Sequence, residues 1–475
     1  MLPSAAILVA RFLKANGYDE TLKTFIREAG LAPDVASGSP IDVTIEQILE
    51  EKKKYDLTVQ FEKLGVEDED KGWRIPAPSK STVLDMLPSA SNILSVYVEQ
   101  LTLLNESPQP YLLTTSADRR LSILKPSRSS LELVRSYTGL QDSPILDMAV
   151  LEQRYILLAS MSGRLVLYDL CRDELLDERR DQSKFIVKVT SWTDHDTTYI
   201  ATAGWDSKVI LYCMKLNNGQ EPRIGDPVAS LTLQTIPETV IFVQPVDTTP
   251  AVLLVTRRDS TSLYYYTLPN PGVDNPELKL LGTQNLAPHS NAWVAFTPSA
   301  VQICPIDPTI AAIATSSVPH MKLIIVRLLI PPNAANASDN NVHDLGQVSG
   351  AALQHTTQAS QARAELVKQD REEAAILVQC STLSSQTQYS TPALAWRPNG
   401  SGVWVNGDDG IVRGIEANTG KIVVRLEAHE PGSKVRCLWA GVVHPDYQDD
   451  QPNTQEEEWV VSGGFDQRLV VGKAQ

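Results

Sequence analysis

From about residue 80 to its last residues the chain repeats one outline seven times: an apolar strand, small residues, a polar turn, then a second alternating apolar strand. The segments are 111–124, 155–169, 199–212, 251–265, 310–326, 402–415 and 459–472, among them Y-I-A-T-A-G-W-D-S-K-V-I-L-Y (199–212) and W-V-V-S-G-G-F-D-Q-R-L-V-V-G (459–472). Their spacing is irregular but centres on roughly 40–45 residues, the length of a four-stranded repeat unit. Such a unit cannot cover its own apolar face, so neighbouring units must stack into a shared core. The period of two between turn residues excludes a helical bundle for this part of the chain.

Residues 1–31 have a different period. Leu2, Ala5, Ala6, Val9, Phe12 and Leu13 recur at three- and four-residue steps and mark one face of a helix. Gly17 terminates it, because glycine takes the left-handed conformation without a Cβ penalty. Asp19 and Glu20 then open a second helix, favourably placed at its positive end, with Leu22, Phe25 and Ile26 on its apolar side. Two helices of this size bury too little surface to stand alone, so a second copy is the expected cover. Residues 32–79 read as a linker with a helix over about 44–64, too short for a sustained coiled coil. Lys52-Lys53-Lys54 sits among acids and reads as a solvated helix face.

Phe12, Leu13, Gly17, Tyr18, Thr21, Phe25 and Glu28 stand at the spacings of a LisH (lissencephaly-homology) motif, and residues 12–28 resemble one throughout. The resemblance implies a dimerisation module, formed by Val9, Phe12, Leu13, Gly17, Tyr18, Thr21 and Phe25. The repeats from residue 80 to 475 resemble divergent WD repeats, which implies an all-β, seven-bladed β-propeller behind the small helical module. Asp118, Asp206, Asp259, Asp409 and Asp466 fall where that family has the Asp of the turn between its second and third strands. Tyr168-Asp169 stands for Trp-Asp, Tyr212 and Tyr265 hold the same aromatic slot, and Ala428-His429 replaces Gly-His. Leu124, Ile415 and Gly472 occupy Trp slots, so the family's hydrogen-bonded tetrad is incomplete almost everywhere.

Two structural expectations follow. The last repeat stops at Gln475 without room for a fourth strand, so a strand from about Ser81 to Leu87 should close the ring; an open edge would invite aggregation. Seven blades do not consume the whole of 80–475, and the surplus falls mainly in 331–373, rich in Gln, Ser, Ala and Asn. That stretch is expected to be a mobile loop between blades five and six, able to form a helix over 359–372.

Composition narrows the function. Lys+Arg 42 against Asp+Glu 57 gives a net charge of -15, which repels polyanions, and basic patches with interleaved aromatics are absent, so direct nucleic-acid binding is not expected. The 5 Cys are scattered singly, which argues for a reducing compartment and against disulfides or structural zinc. No apolar stretch approaches the roughly 18 residues of a membrane span, and the first residues lack the basic region of a signal peptide. The expected location is intracellular, in the nucleus or the cytoplasm.

The sequence has no G-x-S-x-G, no G-x-x-x-x-G-K-[ST], no G-x-G-x-x-G and no H-E-x-x-H. The 7 His are dispersed, and Asp408-Asp409 reads as a turn former. No catalytic residue, cofactor or metal site is expected. The reading is a non-catalytic scaffold that dimerises through LisH and presents propeller loops to protein partners. The resemblance implies a multi-subunit complex of the chromatin/corepressor or ubiquitin-ligase type; an RNA-processing or nucleic-acid-associated propeller is the alternative, a hydrolase propeller a more distant one. In WD propellers the residue before the turn Asp projects from one face. Here it is Trp205, Arg258 and Phe465, with Ala117 and Asp408 in other blades. The first three are the expected partner anchors, since exposed aromatic and Arg side chains are frequent interface hot spots.

Overall fold

Strand burial changes across each repeat in a way that dictates how the repeats assemble. The computed structural model describes residues 5–36, 44, 45, 49, 73, 75–84, 86–103, 107–127, 131–216, 221–245, 249–269, 276–289, 296–331, 358–427, 429–445 and 456–474. Within a repeat the middle strands are buried end to end, as in Tyr155–Ser160 and Leu165–Asp169. The fourth strand alternates, as in Leu131–Thr138. Continuous apolar runs mark strands covered on both faces, and alternation marks a solvated face. The sheets therefore stack on each other and meet solvent at their outer strands.

The result is a seven-bladed β-propeller of four-stranded antiparallel sheets. Blades one to six span 93–138, 145–179, 186–232, 237–285, 297–385 and 394–427. Apolar clusters lie between neighbouring blades; Tyr199 and Leu211 of blade three, for example, join Val240 and Leu253 of blade four in one cluster. The first strands of all seven blades line a central cavity of about 400 Å³.

Blade seven draws on both ends of the chain. Val435–Val443, Glu457–Gly464 and Leu469–Lys473 supply three strands, and β1 (Lys80–Leu84) supplies the fourth. β1 runs antiparallel in the register Lys80↔Lys473 to Leu84↔Leu469. The segment leading into it is latched by Arg397, which is fully buried. Its Nε and Nη2 donate to the two Glu458 oxygens at 2.8 and 2.7 Å, and its remaining donors reach Ile75 O, Pro76 O and Ser401 Oγ at 3.3, 2.8 and 3.0 Å. All five guanidinium N–H groups are used. The Trp73 ring lies 4.6 Å from that guanidinium and 5.7 Å from the Trp404 ring. It can sit there because Gly402 and Gly414 have no side chain; a Cβ on either would come within 2.1 or 2.7 Å of it.

The surplus chain does not fall between blades five and six. It falls inside blade five, between His320–Arg327 and Ile376–Ser385, that blade's third and fourth strands. The strands flanking the insertion pair with each other, and residues 332–357, most of the stretch expected to be a mobile loop, lie outside the described residues. A helix covers Gln358–Ala374, and its Glu372 carboxylate accepts the Asn285 N–H at 3.0 Å from blade four.

The N-terminal helices are α1 (Ala5–Ala15) and α2 (Asp19–Glu28). Gly17 turns the chain at φ 73°, and the Tyr18 N–H closes on Leu13 O at 2.9 Å. Ala10, Leu22 and Ala36 form a small core with Leu13, Phe25, Ile26, Leu31 and Val35 against it. The chain divides into two compact units, 1–67 and 68–475. The helix expected over 44–64 lies almost wholly outside the described residues.

Candidate partner-binding face and the turns that build it

The turns between second and third strands share one face with the loops that lead into each first strand. One bond repeats there: the N–H of the residue before the turn Asp slot donates to the carbonyl just ahead of the blade's first strand. It joins Ala117 to Asn92, Met161 to Pro144, Trp205 to Phe185, Arg258 to Ile236 and Phe465 to Lys434, at 2.9–3.0 Å. The bond pins turn to loop and aims the side chain of that residue outward.

Below the tips the Asp carboxylates hold the turns. In blade seven Asp466 accepts from the Glu430 N–H at 2.9 Å and faces His429 Nδ1 at 3.0 Å, while His429 Nε2 meets Ser462 Oγ at 2.8 Å. This is the Ser–His–Asp order of a nucleophilic triad, yet the His429 and Asp466 side chains are 1% and 0% exposed and Ser462 is buried within its strand. No substrate reaches the hydroxyl, so the trio is a structural peg. Burial holds the His429 imidazole below its ordinary pKa against the pull of Asp466. Burial opposes the Asp466 charge, but the Glu430 N–H and His429 keep that carboxyl below the usual range.

Blade three builds the same peg with an amide. Gln182 stands where His429 does, its nitrogen facing Asp206 and its oxygen accepting from Thr202 Oγ1 at 3.2 Å, while the Ser183 N–H donates to Asp206 at 2.8 Å. In blade two Gln141 donates to Leu158 O at 2.8 Å. Sequence reading missed both glutamines because it looked for histidine. A signal was present in Gly204-Trp205-Asp206, Gly407-Asp408-Asp409 and Gly464-Phe465-Asp466: a Cβ on the first glycine would meet the Asp carboxylate within 2.3–2.6 Å. Asp118 and Asp409 are instead clasped by Arg120 and Arg413. Asp259 occupies its expected slot without the role. Its turn is one residue longer, it sits at φ 55°, and its carboxylate accepts no hydrogen bond among the described residues. Arg257, donating to Tyr264 Oη and Thr235 Oγ1 at 2.7 and 3.1 Å, steadies that turn.

Trp205 and Arg258 come together across the blade three–four junction. The Arg258 guanidinium lies 5.3 Å from the Trp205 ring centroid and pairs with Glu238, while the Phe185 ring stacks on Trp205 at 5.1 Å. Trp205 remains 37% exposed and Phe465, on blade seven, 42%. Asp408 is tied inward by Ser390 and Lys434. Loops of the same face also expose Tyr389, Val318 and Met86. Asp169, in the Trp-Asp slot, is buried and clasped through two oxygens by Arg154.

Of the dimerisation residues, Leu13 and Phe25 join the small helical core, whereas Val9 and Phe12 are half-buried outside it. Gly17, Tyr18 and Thr21 are exposed at the turn and the start of α2. The five Cys are free thiols, and no cluster of metal-ligating side chains occurs among the described residues. No helix of those residues is long and apolar enough to cross a membrane.

No curated protein matches the chain. Among solved structures, Saccharomyces cerevisiae Sqt1 is similar over 84% of this chain and 100% of its own, with 10% identity and a TM-score of 0.50, a likeness of fold alone. Two family models match: the UCP007778 LisH domain over residues 5–32 and the UCP007778 β-propeller domain over 92–441, well over half of the 475 residues. The chain therefore belongs to the UCP007778 family of LisH–β-propeller proteins.

Proposed function

We propose that the protein is a non-catalytic interaction scaffold, a homodimer through its LisH helices that offers the turn face of its propeller to protein partners. The observation that carries this reading is the gathering of exposed apolar groups on that face, with Trp205, Phe465 and Tyr389 at 37, 42 and 77% exposure. Aromatic surface of this kind is costly to leave in water and is concentrated at interfaces. Arg258, laid over Trp205, adds a cation to the same patch. The combination of LisH and propeller supports an adaptor within an intracellular multi-subunit assembly, nuclear or cytoplasmic, of the chromatin/corepressor or ubiquitin-ligase type. Affinity purification followed by mass spectrometry, with wild type beside Trp205→Ala, Arg258→Ala and Phe465→Ala, tests it. The anchors should lose the same partners while retaining the wild-type melting temperature; unchanged recovery would reject this face.

For dimerisation, Val9 and Phe12 are the better probes, because Leu13 and Phe25 serve the fold of the helical pair itself. Phe12→Glu should give a monomer by light scattering with the propeller intact, and a dimer of unchanged size would reject the module's role.

A further inference from the structure

Cations gather on one arc of the turn face, on a chain whose net charge is -15. They are far apart in sequence and meet through the loops of blades one to four. Arg119, at the blade one turn, is exposed and donates from Nη1 to Asp142 O at 3.5 Å. Arg180, leading into blade three, donates to Asp142 Oδ2 at 2.8 Å. The same loop carries exposed Lys184, whose carbonyl would lie 2.7 Å from a Cβ on Gly163 of blade two. Phe185 follows and stacks on Trp205, over which Arg258 of blade four lies. Arg120, Arg164, Arg180 and Arg258 are paired with Asp118, Glu178, Asp142 and Glu238. Arg119, Lys184, Lys208 and Arg257 stand outside those pairs and form no ion pair of their own among the described residues, against two acids in the same position, Asp206 and Asp259. The arc therefore carries positive charge in excess, and it borders the exposed Trp205 ring.

We propose, resting on the reading of the turn face as a partner surface, that this arc receives an acidic segment of a partner protein. Its carboxylates lie over Arg119 and Lys184, and an apolar side chain between them packs on Trp205. Each exposed ion pair is worth little alone. Together they set encounter rate and register, while the buried aromatic contact supplies most of the affinity. A protein segment fits better than a nucleic acid. Asp142, Glu238 and Asp259 stand among the cations, so an unbroken row of phosphates meets repulsion at intervals, whereas carboxylates in a peptide need occupy only the cationic places.

The test uses the full-length protein and fluorescence anisotropy with a labelled peptide Gly-Asp-Glu-Phe-Asp-Glu-Gly, beside its amide counterpart Gly-Asn-Gln-Phe-Asn-Gln-Gly. At low salt the acidic peptide should bind saturably and the amide peptide about tenfold more weakly. That gain should shrink as salt rises from about 50 to about 300 mM, because exposed charges are screened. Arg119→Glu combined with Lys184→Glu should remove the gain, with the amide peptide's affinity and the melting temperature unchanged. An acidic peptide that binds no tighter than its amide counterpart, or a gain that survives in the double variant, overturns the proposal. A labelled oligothymidine that binds more tightly than the acidic peptide, and is lost in the double variant, overturns it in favour of nucleic acid. Trp205→Ala separates this proposal from the reading beneath it. If both peptides bind alike and both weaken in Trp205→Ala, the partner face stands and the acidic preference falls; if neither responds to Trp205→Ala, both fall.

Discussion

Replacing Arg397 with methionine should release the strap that closes the ring. The side chain is fully buried, donates five hydrogen bonds, and is the only described partner clasping both Glu458 oxygens while holding the Ile75 and Pro76 carbonyls. Methionine keeps most of the stem volume but leaves Glu458, 14% exposed, as an uncompensated charge. Breaking a buried pair in this way costs about 3–5 kcal/mol. Glu458→Gln, which keeps an acceptor, should cost about 1–3 kcal/mol. Because the two residues share one network, the double variant should fall short of the sum by about 1–3 kcal/mol. Urea unfolding gives the stabilities, and hydrogen exchange at the amides of β1 reports the closure strand. Those amides should exchange faster in Arg397→Met while the amides of blades two and three do not. A loss under about 1 kcal/mol, with β1 protection unchanged, would refute the latch.

Other outcomes follow from the same contacts. Trp73→Ala should destabilise by about 3–5 kcal/mol, the usual cost of deleting a large aromatic from a packed site, and Gly402→Ala should act in the same direction because its Cβ would meet the Trp73 ring at 2.1 Å; both are read by urea unfolding. The folded pKa of His429 lies below the unfolded value of about 6.5, so the unfolded chain takes up the proton first and blade seven loses stability as pH falls below that value. His429→Gln, copying Gln182 of blade three, should keep the fold and flatten that acid slope in melting curves between pH 7 and 5, whereas a slope identical to wild type would remove His429 as its source. Gly464→Ala, with a Cβ 2.8 Å from His429 Nδ1, should cost about 1–3 kcal/mol by overpacking, measured in the same way.

Much of the architecture is local and therefore readable. Seven strand–turn–strand outlines, the change from period 3.6 to period 2 near residue 80, and the Gly17-Tyr18 break between two helices are written in neighbouring residues. The closing strand expected at about Ser81 to Leu87 is found at Lys80–Leu84, paired with Leu469–Lys473. The turn tips Trp205, Arg258 and Phe465 were legible for the same reason: each is set by its distance from a turn only a few residues long.

What the tertiary structure decided lies in pairs far apart in sequence. Nothing near Arg397 indicates that it meets Glu458 and the carbonyls of 75 and 76, or that Gly402 and Gly414 are small to admit Trp73. Gln182 replaces a histidine because geometry requires only one donor and one acceptor at that spot, and residue type does not reveal that until Asp206 and Thr202 are in place. The insertion went inside blade five because strand pairing, and not repeat spacing, sets where a blade ends.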